Sequence, residues 1–229
     1  MRLIQLVIAA LLLLLPHSSI AQEEWVEFKS IEDRFSIPFP GKPTVQTITW
    51  PSEYGAVFPG RVYTVQQGAG RYSVTVIDYT DAVAIHAKIA KPPSFQQDIY
   101  AQIDVQASIQ YAAYKLYRFK PGSKVTYDAW HYINLIEGHQ LQLTNADGTK
   151  TYVSIYLHEN RLYIADATVP ASSPAQGIFQ QNLAMLDEKG GNVRYNEIYS
   201  NRPPALPARG GGGGGRGDGG GGRGGRGGN

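Results

Sequence analysis

Few side chains in this sequence have a type and spacing that suggest chemistry. Beyond residue 21 there are four histidines, His86, His131, His139 and His158, and the whole chain has no cysteine. Without cysteine there are no thiolate nucleophiles, disulfide frameworks, thiolate zinc sites or sulfur-linked lipids. No G-x-S-x-G elbow, H-E-x-x-H pair or S-x-x-K motif occurs. His131 and His139 stand eight positions apart, whereas two ligands on one face of a strand need alternate positions. One route to acid–base chemistry remains: strand pairing that brings His139 or His158 against an aspartate, which would make the protein a hydrolase. Asp78 and Asp81 flank Tyr79-Thr80 and read as solvated turn acids. Gly68-Ala69-Gly70 lacks the lysine and helix that complete a phosphate loop. These residues assign no catalytic group, no metal and no cofactor.

The C-terminal end offers a different chemistry. Residues 209–229 contain 15 of the 26 glycines, four arginines (Arg209, Arg216, Arg223 and Arg226) and one acid, Asp218. With no apolar surface to offset the entropy of ordering, this stretch is expected to be disordered, with a span of about 25 Å. Its composition resembles RGG segments, in which arginine contacts phosphates and stacks on bases. Four arginines give a salt slope of at most about −2.8 on single strands, so unaided affinity is poor: the tail reads first as a flexible solubilising extension with no specific ligand, and alternatively as a weak polyanion tether. Arg216-Gly217-Asp218 spells an adhesion tripeptide, but one aspartate among Arg-Gly units creates it by composition. Residues 201–208, rich in proline, read as an extended spacer.

The elements that would position these groups follow from periodicity. Trp25 to Ser30, Phe35 to Phe39, Arg61 to Val65 and Tyr72 to Tyr79 alternate apolar and polar residues, as half-buried strands do. Pro38 and Pro40 predict that the second segment lies at a sheet edge or ends there. Gly68-Ala69-Gly70 has the composition of a hairpin loop. Between Ser94 and Phe119 there is no glycine or proline, and Phe95, Ile99, Ile103, Ala107, Tyr111 and Tyr114 recur at helical spacing, predicting a helix over about 95–118. Tyr100, Tyr111, Tyr114 and Tyr117 on that helix are expected to pack on a sheet. Asn145-Ala146-Asp147-Gly148 and His158-Glu159-Asn160 are turn signals. They predict a three-stranded meander over about 138–169, with a strand or strand pair over Lys124–Ile136. Pro174 to Leu186 reads as a second helix ending before Gly190-Gly191. Two helices cannot interleave with so many strands, so the spacing implies an α+β domain: an antiparallel sheet covered by two helices, in a single domain over 22–200.

Charge divides the same way. The formal net charge is +2, made of +1 in residues 1–21, −2 in residues 22–208 and +3 in the tail. A mildly acidic body excludes a basic nucleic-acid-binding domain there. Met1-Arg2, the apolar run Leu3–Leu15 and small residues Ser19 and Ala21 fit a cleaved secretory signal over residues 1–21. A run of 13 residues, interrupted by Gln5, is too short to span a bilayer. The expected product is exported, periplasmic or extracellular, with no membrane-spanning segment.

Three stretches together resemble the PsbP/DcrB-like superfamily of α/β/α-sandwich proteins. They are Phe35-Ser36-Ile37-Pro38-Phe39-Pro40-Gly41-Lys42-Pro43, the strand Tyr72 to Tyr79, and Arg161-Leu162-Tyr163-Ile164 leading to Phe179 and Leu183. The resemblance implies a non-catalytic exported protein that binds or scaffolds other components, and it carries over no functional residue. The expectation is therefore a binding or accessory protein of the bacterial cell envelope with an unknown protein or envelope component as partner. The alternatives are an envelope hydrolase and a polyanion tether acting through the tail.

Overall fold

A computed structural model describes residues 25–89, 97–173 and 178–206. The expected signal segment 1–21 and the tail 209–229 lie outside the described residues. Among the described residues ten strands form two antiparallel sheets. The smaller contains β1 (Val26–Ser30), β2 (Phe35–Phe39) and the two-residue β10 (Ala184–Met185), in the order β1-β2-β10. The larger contains β3 (Thr44–Pro51), β4 (Val57–Gln67), β5 (Gly70–Asp78), β6 (Lys124–Ile133), β7 (Ile136–Thr144), β8 (Lys150–His158) and β9 (Arg161–Val169). Its order is β3-β4-β5-β9-β8-β7-β6, so β5 and β9 join two meanders at the centre.

The helices are α1 (Ala82–Ala87), α2 (Gln97–Ala113) and the single turn α3 (Ile178–Gln181). A π-helical turn, Tyr114–Arg118, extends α2. One face of the large sheet packs Phe58, Ile77, Leu141, Val153, Ile155 and Ile164 beneath Ala82 of α1, Ala101, Val105 and Ala112 of α2, and Tyr117 of the π-turn. The opposite face sets Tyr63, Val74, Tyr156, Tyr163 and Ala165 against Phe35, Ile37, Phe39, Phe179 and Met185. The period-two alternation of β9 shows this directly: Leu162 and Ile164 enter one core, Tyr163 and Ala165 the other. Among the described residues no helix is long and apolar enough to cross a membrane.

The α+β class, the 138–169 meander and the long helix agree with the sequence reading. Four details differ. Pro174 lies outside the described residues, and the expected second helix amounts to α3, because Ala184 and Met185 pair with Ser36 and Phe35 instead of continuing it. The second face is therefore covered by a small sheet and one helical turn. β2 is a middle strand, and it tolerates Pro38 because β10 reaches only Phe35 and Ser36. The tyrosine stripe splits: Tyr117 is buried, while the Tyr114 side chain stands 59% exposed against Phe119. The π-turn rotates the two residues onto different faces.

Polar bonds fasten the layers. Asp33, between β1 and β2, accepts Arg61 Nε at 2.7 Å, a second bond from Arg61 Nη2, and the Tyr63 hydroxyl at 2.5 Å. Its carbonyl accepts the Tyr163 hydroxyl at 2.9 Å. His86 of α1 meets Asp104 of α2 at 2.7 Å, both side chains buried.

Candidate functional site

The hairpins β6–β7 and β8–β9 turn at the same end of the large sheet. Asn134 and Leu135 have φ of 49° and 65°, and Glu159 and Asn160 have 47° and 58°. Two consecutive left-handed residues make the tight turn that matches strand twist, which asparagine tolerates better than most residues other than glycine. After β10 the chain runs past both tips. The Tyr199 N–H donates to Leu135 O at 2.9 Å, while its hydroxyl accepts the Glu159 N–H at 3.0 Å. Asn201 Oδ1 accepts the Asn160 N–H, and Asn201 Nδ2 donates to Asn160 Oδ1, both at 2.9 Å. Residue 201, assigned by sequence to a spacer, is thus part of the folded body, and Pro204 O accepts Gln102 Nε2 of α2 at 3.4 Å.

Between this strap and the β8–β9 tip lies an open groove of about 760 Å³, lined by Glu159, Asn160, Tyr195, Glu197, Tyr199, Arg202 and neighbouring residues. His158 forms its inner support. The imidazole lies 4.8 Å from the Tyr199 ring and its Nε2 bonds the Tyr195 hydroxyl at 2.8 Å. Burial, then the cations Arg161 and Arg34, push His158 down to about 4. Burial first, then Tyr199 and Glu159, push Tyr195 up to about 12. At neutral pH the pair is uncharged and holds no proton poised for transfer. Arg34 contacts Glu159 at 3.2 Å and Glu188 at 3.0 Å, tying the rim to the β1–β2 turn. The groove offers aromatic edges, amides, carboxylates and a guanidinium. Such a set is able to orient a polar ligand.

The other histidines are dispersed. His139 stands on β7 opposite Trp130 of the edge strand β6. Its Nε2 contacts Asp128 and lies 3.0 Å from Arg118 Nη2, and its Nδ1 is buried without a partner. Arg118 grips Asp128 at 2.7 and 3.0 Å and holds the Asp128 carboxyl below its ordinary range. An aspartate does meet His139, as a hydrolase would require, but the same nitrogen faces a guanidinium and the other faces the interior. His131 Nδ1 bonds the Tyr156 hydroxyl at 2.8 Å. His139 and His158 do not converge: strand pairing places them at different positions on β7 and β8, and on opposite faces of the sheet. Asp78 accepts Thr80 N–H at 2.9 Å and the Thr80 hydroxyl at 2.6 Å, an ordinary turn. Gly68, at φ 55°, turns the β4–β5 hairpin. Among the described residues no group of three His, Asp or Glu side chains gathers as a metal site. Arg209, Arg216, Arg223 and Arg226 lie outside the described residues.

The groove was not legible in the sequence. Tyr195, Glu197, Tyr199 and Arg202 fall in a segment without periodicity; the recurrence of tyrosine at 195 and 199 was the sole signal.

No family model matches the chain, and no curated protein matches it by sequence. Among solved structures, the fold is similar to the solution structure of cyanobacterial PsbP (CyanoP) from Synechocystis sp. PCC 6803. The TM-score is 0.36 at 10% sequence identity, over 69% of this chain and 86% of that one.

Proposed function

We propose that the protein is an exported, non-catalytic binding or accessory component of the bacterial cell envelope, and that the groove beside His158 receives its ligand. One observation carries the reading: the groove is open and rimmed with ligand-orienting groups, yet its histidine is neutral, buried and bonded to tyrosine. The likeness of residues 35–43, 72–79 and 161–164 to PsbP/DcrB-like proteins favours the same class, and the apolar leader favours export. The hydrolase alternative draws on the His139–Asp128 contact; there Arg118 competes for the nitrogen a general base would use. The tail supplies, at most, an added weak hold on polyanions.

The test pairs capture with turnover. Immobilised protein is exposed to envelope extract, the captured component is purified, and its affinity is measured by calorimetry. Glu197→Ala and Arg202→Ala should each weaken binding at least tenfold. Turnover of chromogenic esters, phosphoesters or glycosides that disappears in His139→Ala would replace this reading with the hydrolase.

A further inference from the structure

The opposite end of the large sheet carries a second concave site. Lys124 on β6 pairs across the ladder with Thr144 on β7, and Thr144 pairs with Lys150 on β8. Directly paired residues point to the same face, so two lysines flank one threonine hydroxyl. Their backbones are two strand spacings apart, about 10 Å, a gap that two lysine side chains can close around one small ion. Neither lysine has a carboxylate within ion-pair distance among the described residues. Elsewhere in the body nearly every buried or half-buried cation is matched: Arg61 by Asp33, Arg71 by Asp166, and Arg118 by Asp128.

Beside this row is a pocket of about 200 Å³ lined by Thr126, Gln142, Leu143, Thr144, Lys150 and Tyr152; Lys124 stands at its margin, paired with the lining residue Thr144. A β-bulge between Val125 and Tyr127 makes Thr126 the extra residue, turning it out of the ladder; its hydroxyl donates to Gln142 O at 3.1 Å. Bulges of this kind re-aim a side chain next to a site. Tyr152 is 5% exposed and forms the floor. The nearby acids are spoken for: Asp147 bonds Thr149, and Asp166 bonds Ser73 on the far face of the sheet.

We infer that this pocket binds a tetrahedral oxyanion, a phosphate or sulfate group, clamped by Lys124 and Lys150 with the Thr144 hydroxyl and the Gln142 amide completing the shell. Charge-assisted bonds from two ammonium groups, with neutral donors on a concave surface, suit such an ion. The site is independent of the His158 groove, which lies at the other end of the strands, and of the tail. It places an anion contact within a body whose net charge is −2, through local arrangement of charge.

The probe is inorganic phosphate, titrated into the full chain with amide chemical shifts as readout. Saturating shifts at residues 124–126, 142–144 and 150–152 are expected, and they should recur with sulfate. Lys124→Gln and Lys150→Gln should each weaken the dissociation constant about tenfold, the scale of one charge-assisted bond, with Lys150→Arg restoring most of it. A variant lacking residues 209–229 should bind phosphate unchanged. Both lysines are on the surface, and unchanged shifts elsewhere in the spectrum would show that the variants fold. Vesicles of phosphatidylglycerol in phosphatidylcholine separate the sources: broadening at the same amides identifies a lipid headgroup, and phosphate binding without it identifies a soluble anion. Shifts that never saturate, that survive Lys124→Gln with Lys150→Gln, or that vanish with the tail overturn the proposal.

Discussion

The Tyr199 hydroxyl accepts the Glu159 N–H at 3.0 Å, so a residue from the irregular C-terminal strap holds the tip of the β8–β9 hairpin. The same residue's backbone holds the β6–β7 tip through Leu135. Replacing Tyr199 by Phe removes the hydroxyl and leaves the backbone bond. Urea denaturation should show a loss of about 1–2 kcal/mol, with the slope against denaturant unchanged. Glu159 and Asn160 amides should exchange faster with solvent.

His158 sets an acid limit. Its folded pKa of about 4 lies below the ordinary 6.5, so between those values the unfolded chain binds more protons than the folded one. Stability therefore falls as pH drops from about 6.5 and the loss is complete near 4, amounting to about 3 kcal/mol. Burial raises Asp104 and Asp166, and these acids act in the opposite sense over part of that range. The measurement is the difference between wild type and His158→Phe, which should carry the His158 slope alone. Parallel curves for the two proteins would contradict it.

Asp33 joins the small sheet to the large one through Arg61 and Tyr63. Asp33→Ala leaves Arg61 partly buried without its carboxylate and Tyr63 without its acceptor. A loss of about 3 kcal/mol is expected, read as a lower urea midpoint. Glu32→Ala, which removes only the 70%-exposed partner of Arg61, should cost under about 1 kcal/mol.

A methyl group at Gly138 would collide with the Tyr156 ring and Ile155 O on the neighbouring strand. Gly138→Ala should destabilise by about 1–3 kcal/mol through overpacking. The His131–Tyr156 bond should break with it, seen as a shift in the His131 ring resonances.

Arg118→Ala removes the guanidinium that holds the Asp128 carboxyl low. Asp128 should then titrate at a higher pH in a carbon-detected NMR titration. No change at Asp128 would mean that Arg118 does not control its carboxyl.

Period-two and period-3.6 patterns were enough to find the meander, the β4–β5 hairpin and α2, because each buries one face along its whole length. They missed β3, whose residues Thr44 to Thr49 are exposed or half-buried and carry no alternation, and α1, six residues long. They extended α3 because Leu183 and Leu186 keep helical spacing with Phe179, although Leu183 and Met185 fill the core from an extended segment. The charge reading saw a mildly acidic body and could not see a cross-strand row, since Lys124, Thr144 and Lys150 are neighbours only after pairing. The groove was hidden for a related reason: His158 and Tyr195 are 37 positions apart, and Tyr195 belongs to no regular element.

The small sheet sets a schedule for folding. Ser36 of β2 meets Ala184 of β10, joining nearly the first and nearly the last of the described residues, and such distant pairings slow the search for the native state. The β1–β2 hairpin has no third strand until residues 184 and 185 have been made. Until then Phe35, Ile37 and Phe39 lack part of their cover. The domain is therefore expected to complete its packing only once residues 184 and 185 are available, and a chain cut short before residue 184 should persist as a partly packed, aggregation-prone species.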